Sequence, residues 1–266
     1  MTAVEAPPNA KVVGTRRQRR EDPALLTGEG KFVDDLSVPG ALHLAVIRSP
    51  YAHARITSVD VSGALGLPGV VAAFSGADLA GEWAAPMPCA WAVTEDMKNP
   101  PHYPLAADAV HYVGDAVAVV LAETAYAAKD AMEAVVVEYD PLEAVIDLED
   151  ALSDRVLVHP DLGTNISYTW ELTPDAAAVE AAFSSAAHTV KERYIQQRLL
   201  PSFMEPRGVC VVPQPYGGDF VIYSATQIPH ILRIMVGITL GISETKLRVI
   251  APKVGGGFGA KLDVYA

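Results

Sequence analysis

Apolar and polar residues roughly alternate from Ala41 to Arg48 and again from Arg55 to Val61, the two-residue period of a strand with one face buried. Ser49-Pro50-Tyr51 separates the runs, so they predict two strands. A third apolar run, Val70 to Phe74, follows the turn pair Pro68-Gly69. Ala116 to Leu121 is apolar throughout and short, which predicts a buried strand. The alanine-rich stretch from Thr124 to Ala134 predicts a helix, with the Thr124 hydroxyl placed to cap its first turn. Val135 to Tyr139 predicts the strand after it. Gly81 to Tyr103 holds two tryptophans and several prolines without any period, and so predicts a long ordered loop. These elements make an α+β domain whose end is marked by Asp140-Pro141.

A second block opens with Thr173-Pro174-Asp175, where proline is preset for a first helical turn, and alanines carry the predicted helix to about Phe183. Strands are predicted at His188 to Ile195, Gly208 to Pro213 and Phe220 to Ala225. The last two form a hairpin through Pro215-Tyr216-Gly217-Gly218. Ile228, Ile231, Leu232 and Met235 recur at helical spacing over Pro229 to Leu240, and Gly241 is placed to end that helix. Lys246 to Val254 predicts a final strand, at an edge or bulged near Pro252, which has no N–H to give to a ladder.

Composition narrows the class. The 266 residues, 50% hydrophobic and 20% charged, allow one large or two modest domains and exclude a chain that is mainly disordered. The most apolar stretch, Ile231 to Ile242, is too short to span a membrane and contains Arg233. Cys89 and Cys210 form no metal-spaced pair, which argues against a disulfide scaffold, a zinc ribbon or a cysteine-bound cluster and for a reducing, cytoplasmic compartment. Arg16-Arg17 is followed by further charges rather than an apolar core, so it is not read as an export signal. Charge is segmental. Residues 1–20 form a basic tail with five basic groups and one acid, residues 115–161 hold twelve acids and two bases, and residues 191–261 hold nine bases and four acids. The net charge of −12 disfavours nucleic acid, whereas the basic last segment suits an anionic ligand.

Candidate chemistry gathers in that segment. The strand ending at Ala225, the helix from Pro229 and the strand ending at Val254 form a candidate βαβ unit. If the strands are parallel, Ser224-Ala225-Thr226-Gln227 and Gly255-Gly256-Gly257-Phe258-Gly259-Ala260-Lys261 meet at one sheet edge. A helix N-terminus brings partial positive charge, glycines let the backbone approach a ligand, and Gln227 adds a donor and an acceptor. The set suits a large polar anion such as a phosphorylated cofactor; the alternative is a flexible loop beside a surface glutamine. Gly255, Gly257 and Ala260 fit the loose dinucleotide pattern, but the seven residues after Gly259 do not supply the helix, strand and acid that the pattern requires. Lys261 has no preceding glycine and Leu262 stands at the hydroxyl position, so this is not a Walker loop. The histidines, at 43, 53, 102, 111, 159, 188 and 230, form no close pair in sequence and read as surface or core residues. Glu205 reads as a buried structural partner of Arg207 in preference to an acid catalyst.

Three ordered motifs carry a resemblance. Arg198-Leu199-Leu200-Pro201-Ser202 leading into Met204-Glu205-Pro206-Arg207-Gly208, then Ser224 to His230, then Gly255 to Lys261 resemble the molybdenum-cofactor (large) subunit of the xanthine dehydrogenase and aldehyde oxidase family. The likeness is strongest to large subunits of the aerobic carbon monoxide dehydrogenase type. Thr27 to Leu36, Ile47 to Ile56 and Val113 to Thr124 are similar to that family's hammerhead domain. The resemblance implies an α+β chain: a basic tail at 1–20, a hammerhead-like α/β domain at 21–145, an acidic linker at 146–172, and at 173–266 the beginning of a mixed α/β molybdenum-cofactor-binding domain. It further implies a molybdenum-molybdopterin cofactor, expected in its cytosine dinucleotide form and bound in part by this chain. Gln227 would hydrogen-bond the metal's oxo group or the cofactor, and the backbone of Gly256, Gly257, Phe258 and Gly259 would hold it beside the Phe258 ring. Because such cofactors hold molybdenum through a pterin dithiolene, no protein metal ligand is expected.

Family members insert a water-derived oxygen into a C–H bond or oxidise carbon monoxide. They pass electrons to iron-sulfur and FAD-binding subunits, which implies those partners and a dimer of heterotrimers in the complete enzyme, with no nucleic acid and no membrane span. Leu262 stands where purine-oxidising relatives carry an acidic residue, which argues against a purine. The family's catalytic glutamate lies in a later part of the subunit, so no catalytic residue is assigned here. The chain is expected to be an N-terminal portion, inactive alone. A non-catalytic anion- or nucleotide-binding module using the Gly255 to Gly259 loop is the competing expectation.

Overall fold

The structure is a computed structural model and describes residues 13–88, 92–173 and 175–265. After a short helix α1 (Asp22–Leu26) come β1 (His43–Arg48), β2 (Ala54–Asp60), α2 (Ser62–Leu65), β3 (Val70–Ser75) and α3 (Gly76–Leu79). They are followed by β4 (Ala109–Val110), β5 (Ala116–Ala122), α4 (Ala125–Glu133) and β6 (Val136–Pro141). Two antiparallel three-stranded sheets result, in the orders β1-β5-β3 and β4-β2-β6.

The apolar run of β5 explains its central place. Val117 and Val120 are both fully buried, three positions apart and therefore on opposite faces of the strand. Val120 joins Ala64, Ala73 and Ala131 in one core, beneath α2 and α4, while Val117 joins Ala54 and Val110 in the other, against the second sheet. The domain is thus layered as helices, sheet, sheet. The small residues Ala128 and Ala131 of α4 let that helix lie close over β5. Its first turn is capped as expected, with the Thr124 hydroxyl accepting from the Ala127 N–H at 3.1 Å. No helix or strand forms in the described part of 81–103, consistent with the predicted loop; Cys89 lies outside the described residues, and Cys210, on the strand after residue 208, is a free thiol.

The acidic segment contributes α5 (Leu148–Leu152) and a single 3-10 turn at Pro160–Leu162, and the second block begins with α6 (Ala176–Ser185). Asp175 caps α6 through the Ala178 N–H; Pro174, predicted for the first turn, lies outside the described residues. The strand expected at His188 to Ile195 does not form. Residues 186–200 are exposed and carry no ladder hydrogen bonds, because a strand forms only where a second strand takes up its main-chain groups, and none of the described residues does so. β7 (Val209–Pro213) and β8 (Phe220–Ser224) make the predicted hairpin, with Gly217 and Gly218 at positive φ. α7 (Pro229–Leu240) ends at Gly241 in the left-handed conformation, and β9 (Leu247–Ile250) lies parallel to β8. β9 stops two residues short of Pro252, the residue that cannot extend a ladder. The two blocks touch where Ala84 N–H donates to the Thr239 carbonyl at 2.9 Å and Lys253 N–H to that of Lys31 at 3.0 Å. Among the described residues, no helix is long and apolar enough to cross a membrane.

The histidines correct the sequence reading. His53, His111 and His159, far apart in sequence, form a stack: ring centroids are 5.7 Å apart for His53 and His111 and 4.3 Å for His111 and His159. His159 thereby fastens the acidic segment to the first domain. Burial, then the neighbouring His159 and His53 rings, push the His111 pKa down to about 4, against the opposing pull of Asp115. His159 is lowered for similar reasons, burial first. A histidine whose folded pKa lies below its unfolded value takes up protons more readily when unfolded. Its stabilising effect is therefore whole above pH 6.5 and is lost as pH falls toward 4. Urea midpoints measured across that window should drop in the wild type and drop less steeply in His111→Gln; parallel curves would show that the stack contributes nothing.

Candidate functional site

Parallel register pairs Tyr223 of β8 with Ile250 of β9, so both strands finish at the same edge of the sheet. The segment after β8 and the glycine-rich loop after β9 meet there, as predicted. The contact is specific: Gln227 N–H donates to the Lys261 carbonyl at 2.9 Å, and the buried Thr226 hydroxyl reaches the same carbonyl at 3.4 Å. The Gln227 side chain turns back on the loop. Its Oε1 accepts from the N–H groups of Gly259 at 3.1 Å and Lys261 at 3.3 Å. With the oxygen assigned by those two donors, the amide's orientation is fixed, and its Nε2 donor has no partner among the described residues.

The loop itself bends through Gly256 at φ +99°, Phe258 at φ +48° and Gly259 at φ +85°. Positive φ is ordinary for glycine but costs a bulky residue such as Phe258 about 1–3 kcal/mol, and the Phe258 ring remains 75% exposed. Within this bend, the N–H groups of Gly255, Gly259, Ala260 and Lys261 are all bonded inside the protein. Those of Gly256, Gly257 and Phe258 take no hydrogen bond among the described residues. Three successive N–H groups without a partner in the protein are a feature that can receive an anion. The neighbouring N-terminus of α7 adds to it: no side chain caps that helix, so its dipole remains available to negative charge.

A carboxylate the sequence assigned elsewhere supports the loop. Glu205, expected to pair with Arg207, instead places Oε2 2.8 Å from Lys261 Nζ and 2.7 Å from the Gly255 nitrogen. Arg207 lies over the Tyr265 ring at 3.6 Å. The reason is burial. The Lys261 side chain is fully enclosed, with its ammonium 4.8 Å from the Phe203 ring, and an enclosed ammonium demands a carboxylate, whereas Arg207 remains exposed to water. Breaking such a pair costs about 3–5 kcal/mol. The pairing of Glu205 with Lys261 is what sequence patterns missed, since the two stand 56 positions apart.

Among the described residues no group of three His, Cys, Asp or Glu side chains could hold a metal ion. An open groove of about 430 Å³ runs between residues 97–100 and 145–167, and none of its lining residues belongs to the glycine-rich loop.

Residues 27–143 match the family "Aldehyde oxidase and xanthine dehydrogenase, a/b hammerhead domain", and residues 158–266 match the "Molybdopterin cofactor-binding domain". The carbon monoxide dehydrogenase large chain of Hydrogenophaga pseudoflava is 36% identical over 259 residues, covering 92% of this chain and 31% of its own length. The nicotine 6-hydroxylase large subunit of Paenarthrobacter nicotinovorans is 35% identical, covering 97% and 31%. The crystal structure of quinoline 2-oxidoreductase from Pseudomonas putida 86 superposes with a TM-score of 0.83 at 36% identity, over 94% of this chain and 31% of that one. The chain spans about a third of the length of these relatives. Hammerhead fold, cofactor-binding fold and relatives agree, and the chain belongs to the xanthine dehydrogenase and aldehyde oxidase family.

Proposed function

We propose that this chain forms part of the large subunit of a cytoplasmic molybdenum hydroxylase. Such an enzyme oxidises a small substrate, an aldehyde, an N-heterocycle or carbon monoxide, with water as the oxygen source. It passes the electrons to iron-sulfur and FAD-binding subunits, in a dimer of heterotrimers, and the chain alone is inactive. The observation that carries this proposal is the run of free N–H groups at Gly256, Gly257 and Phe258 beside the unpartnered Gln227 donor. These residues fit a molybdopterin cofactor, whose cytosine dinucleotide form would bring a pyrophosphate to a cradle of this kind. When bound, the cofactor supplies the two-electron redox centre.

The chain's own groups have distinct parts in this scheme. The loop amides take the anionic end of the cofactor, with Gly256 and Gly259 supplying the positive φ values that present them. Phe258 stands beside them as an apolar flank. Gln227, its oxygen held by Gly259 and Lys261, offers a neutral N–H donor that would hydrogen-bond the bound cofactor. No residue of this chain is assigned to proton transfer.

Gln227→Ala in the complete complex should leave the fold and most of the molybdenum in place while slowing turnover about tenfold or more. Molybdenum by elemental analysis and steady-state kinetics measure the two separately. Unchanged turnover would reduce Gln227 to a surface residue. A wild-type complex that takes up no molybdenum would sink the whole assignment and leave the anion-binding module in its place.

A further inference from the structure

One carboxylate oxygen holds both ends of the glycine-rich loop. Glu205 Oε2 accepts from the N–H of Gly255, the loop's first residue, and from the side-chain ammonium of Lys261, its last. Lys261 in turn exchanges two main-chain hydrogen bonds with Gln227, giving its N–H to Oε1 and accepting the Gln227 N–H at its carbonyl. The approach is close enough that only glycine fits at the near end: a Cβ on Gly255 would stand 2.6 Å from the Glu205 Cβ. Lys261 cannot seek another partner, because its side chain has no exposure to water. The line Glu205, Lys261, Gln227 therefore runs unbroken from a buried charge to the free amide donor.

We propose that Glu205 is a positioning residue for the glycine-rich loop: by tying Gly255 to Lys261 it sets where the Gln227 donor and the free loop amides stand. Its consequence for turnover rests on the cofactor assignment, whereas its consequence for the loop does not. Glu205→Gln keeps the shape and removes the charge that Lys261 requires. Glu205→Gln with Lys261→Met removes both charges, so no unpaired ammonium remains to unfold the site.

The test uses the complete complex and reads hydrogen exchange at residues 255–261 alongside kcat, KM and molybdenum content. In both variants the loop amides should exchange about tenfold faster, while β5, in the core of the first domain, keeps its protection. kcat should fall about tenfold with KM within about threefold of wild type, as displacement of a positioned donor rather than loss of binding predicts. Loop exchange and kcat both within about twofold of wild type in the double variant would overturn the proposal. If Glu205→Gln alone loses β5 protection, the double variant decides by the same criteria. Loss of β5 protection in that variant too would mean that the pair supports the whole fold and not the loop, and would equally overturn it. Should wild type hold no molybdenum, the cofactor assignment fails, and the exchange measurement still decides the role of Glu205.

Discussion

Replacing Gly257 by valine is expected to strip the assembled protein of molybdenum without unfolding it. A Cβ at this position would overlap Oε1 of Gln227 and stand 2.5 Å from its Cδ and 2.8 Å from its Cγ. The obstructed group is the end of an exposed side chain held at its tip by two amide N–H groups, so the backbone survives and the carboxamide moves. In moving it releases the N–H groups of Gly259 and Lys261, and the branched side chain fills the concavity in which the free amides stand. Hydrogen bonds to a charged group contribute about 1.5–3 kcal/mol each. Loss of even one or two would lower cofactor affinity by a factor on the order of 10 to 10⁴. Molybdenum per chain should fall to about a tenth of wild type or less, with the thermal transition unmoved. Full occupancy in this variant would mean that the loop does not hold the cofactor.

Gly76→Ala should destabilise the first domain, because here the obstruction is main chain. Gly76 opens α3 and is buried. A Cβ would overlap the Ala106 carbonyl oxygen and lie 2.6 Å from its carbon and 3.0 Å from the Ala107 nitrogen. Neither neighbour can rotate away, and Ala106 N–H is already bonded to the Ala116 carbonyl at 2.7 Å, at the start of β5. Relief must shift the edge of the central strand. Overpacking of this kind costs about 1–3 kcal/mol or somewhat more, which for a domain of this size lowers the melting temperature by about 10 °C. Gly81, with open space where its Cβ would be, supplies the control: Gly81→Ala should melt within about 2 °C of wild type. Equal melting temperatures for the two variants would show that the loop at 106–107 yields freely.

What could be read in advance depended on how local the deciding interaction is. The α4 helix was legible because its cap, Thr124, stands three residues before the amide it satisfies, and β5 because a short apolar run is its own signal. The βαβ unit and the meeting of Gln227 with the glycine-rich loop were legible because parallel strands must end at one edge. The strand expected at 188–195 has no partner among the described residues, and pairing is a property of two segments. Glu205 was assigned to Arg207, two residues away, when the decisive fact was the burial of Lys261, which only the folded chain establishes. The histidine stack was invisible for the same reason: nothing in the neighbourhood of His53, His111 or His159 marks the others.

The pairing order of the first domain has a consequence for how it comes into being. β1, β2 and β3 make no ladder with one another; β1 and β3 both wait for β5, and β2 waits for β4 and β6. During synthesis the described residues up to 75 therefore hold three strands and no sheet; the ladders of β1 and β3 close only after Ala122, and that of β2 with β6 only after Pro141, has left the ribosome. Closure across so many residues is entropically slow, and folds dominated by such distant pairings take on the order of milliseconds to seconds. Through that interval Val46, Ile47, Val70 and Val71 belong to strands with unsatisfied edges. The period of greatest aggregation risk in the life of this domain is thus set by a strand order, and it ends abruptly when β5 slides between its two neighbours.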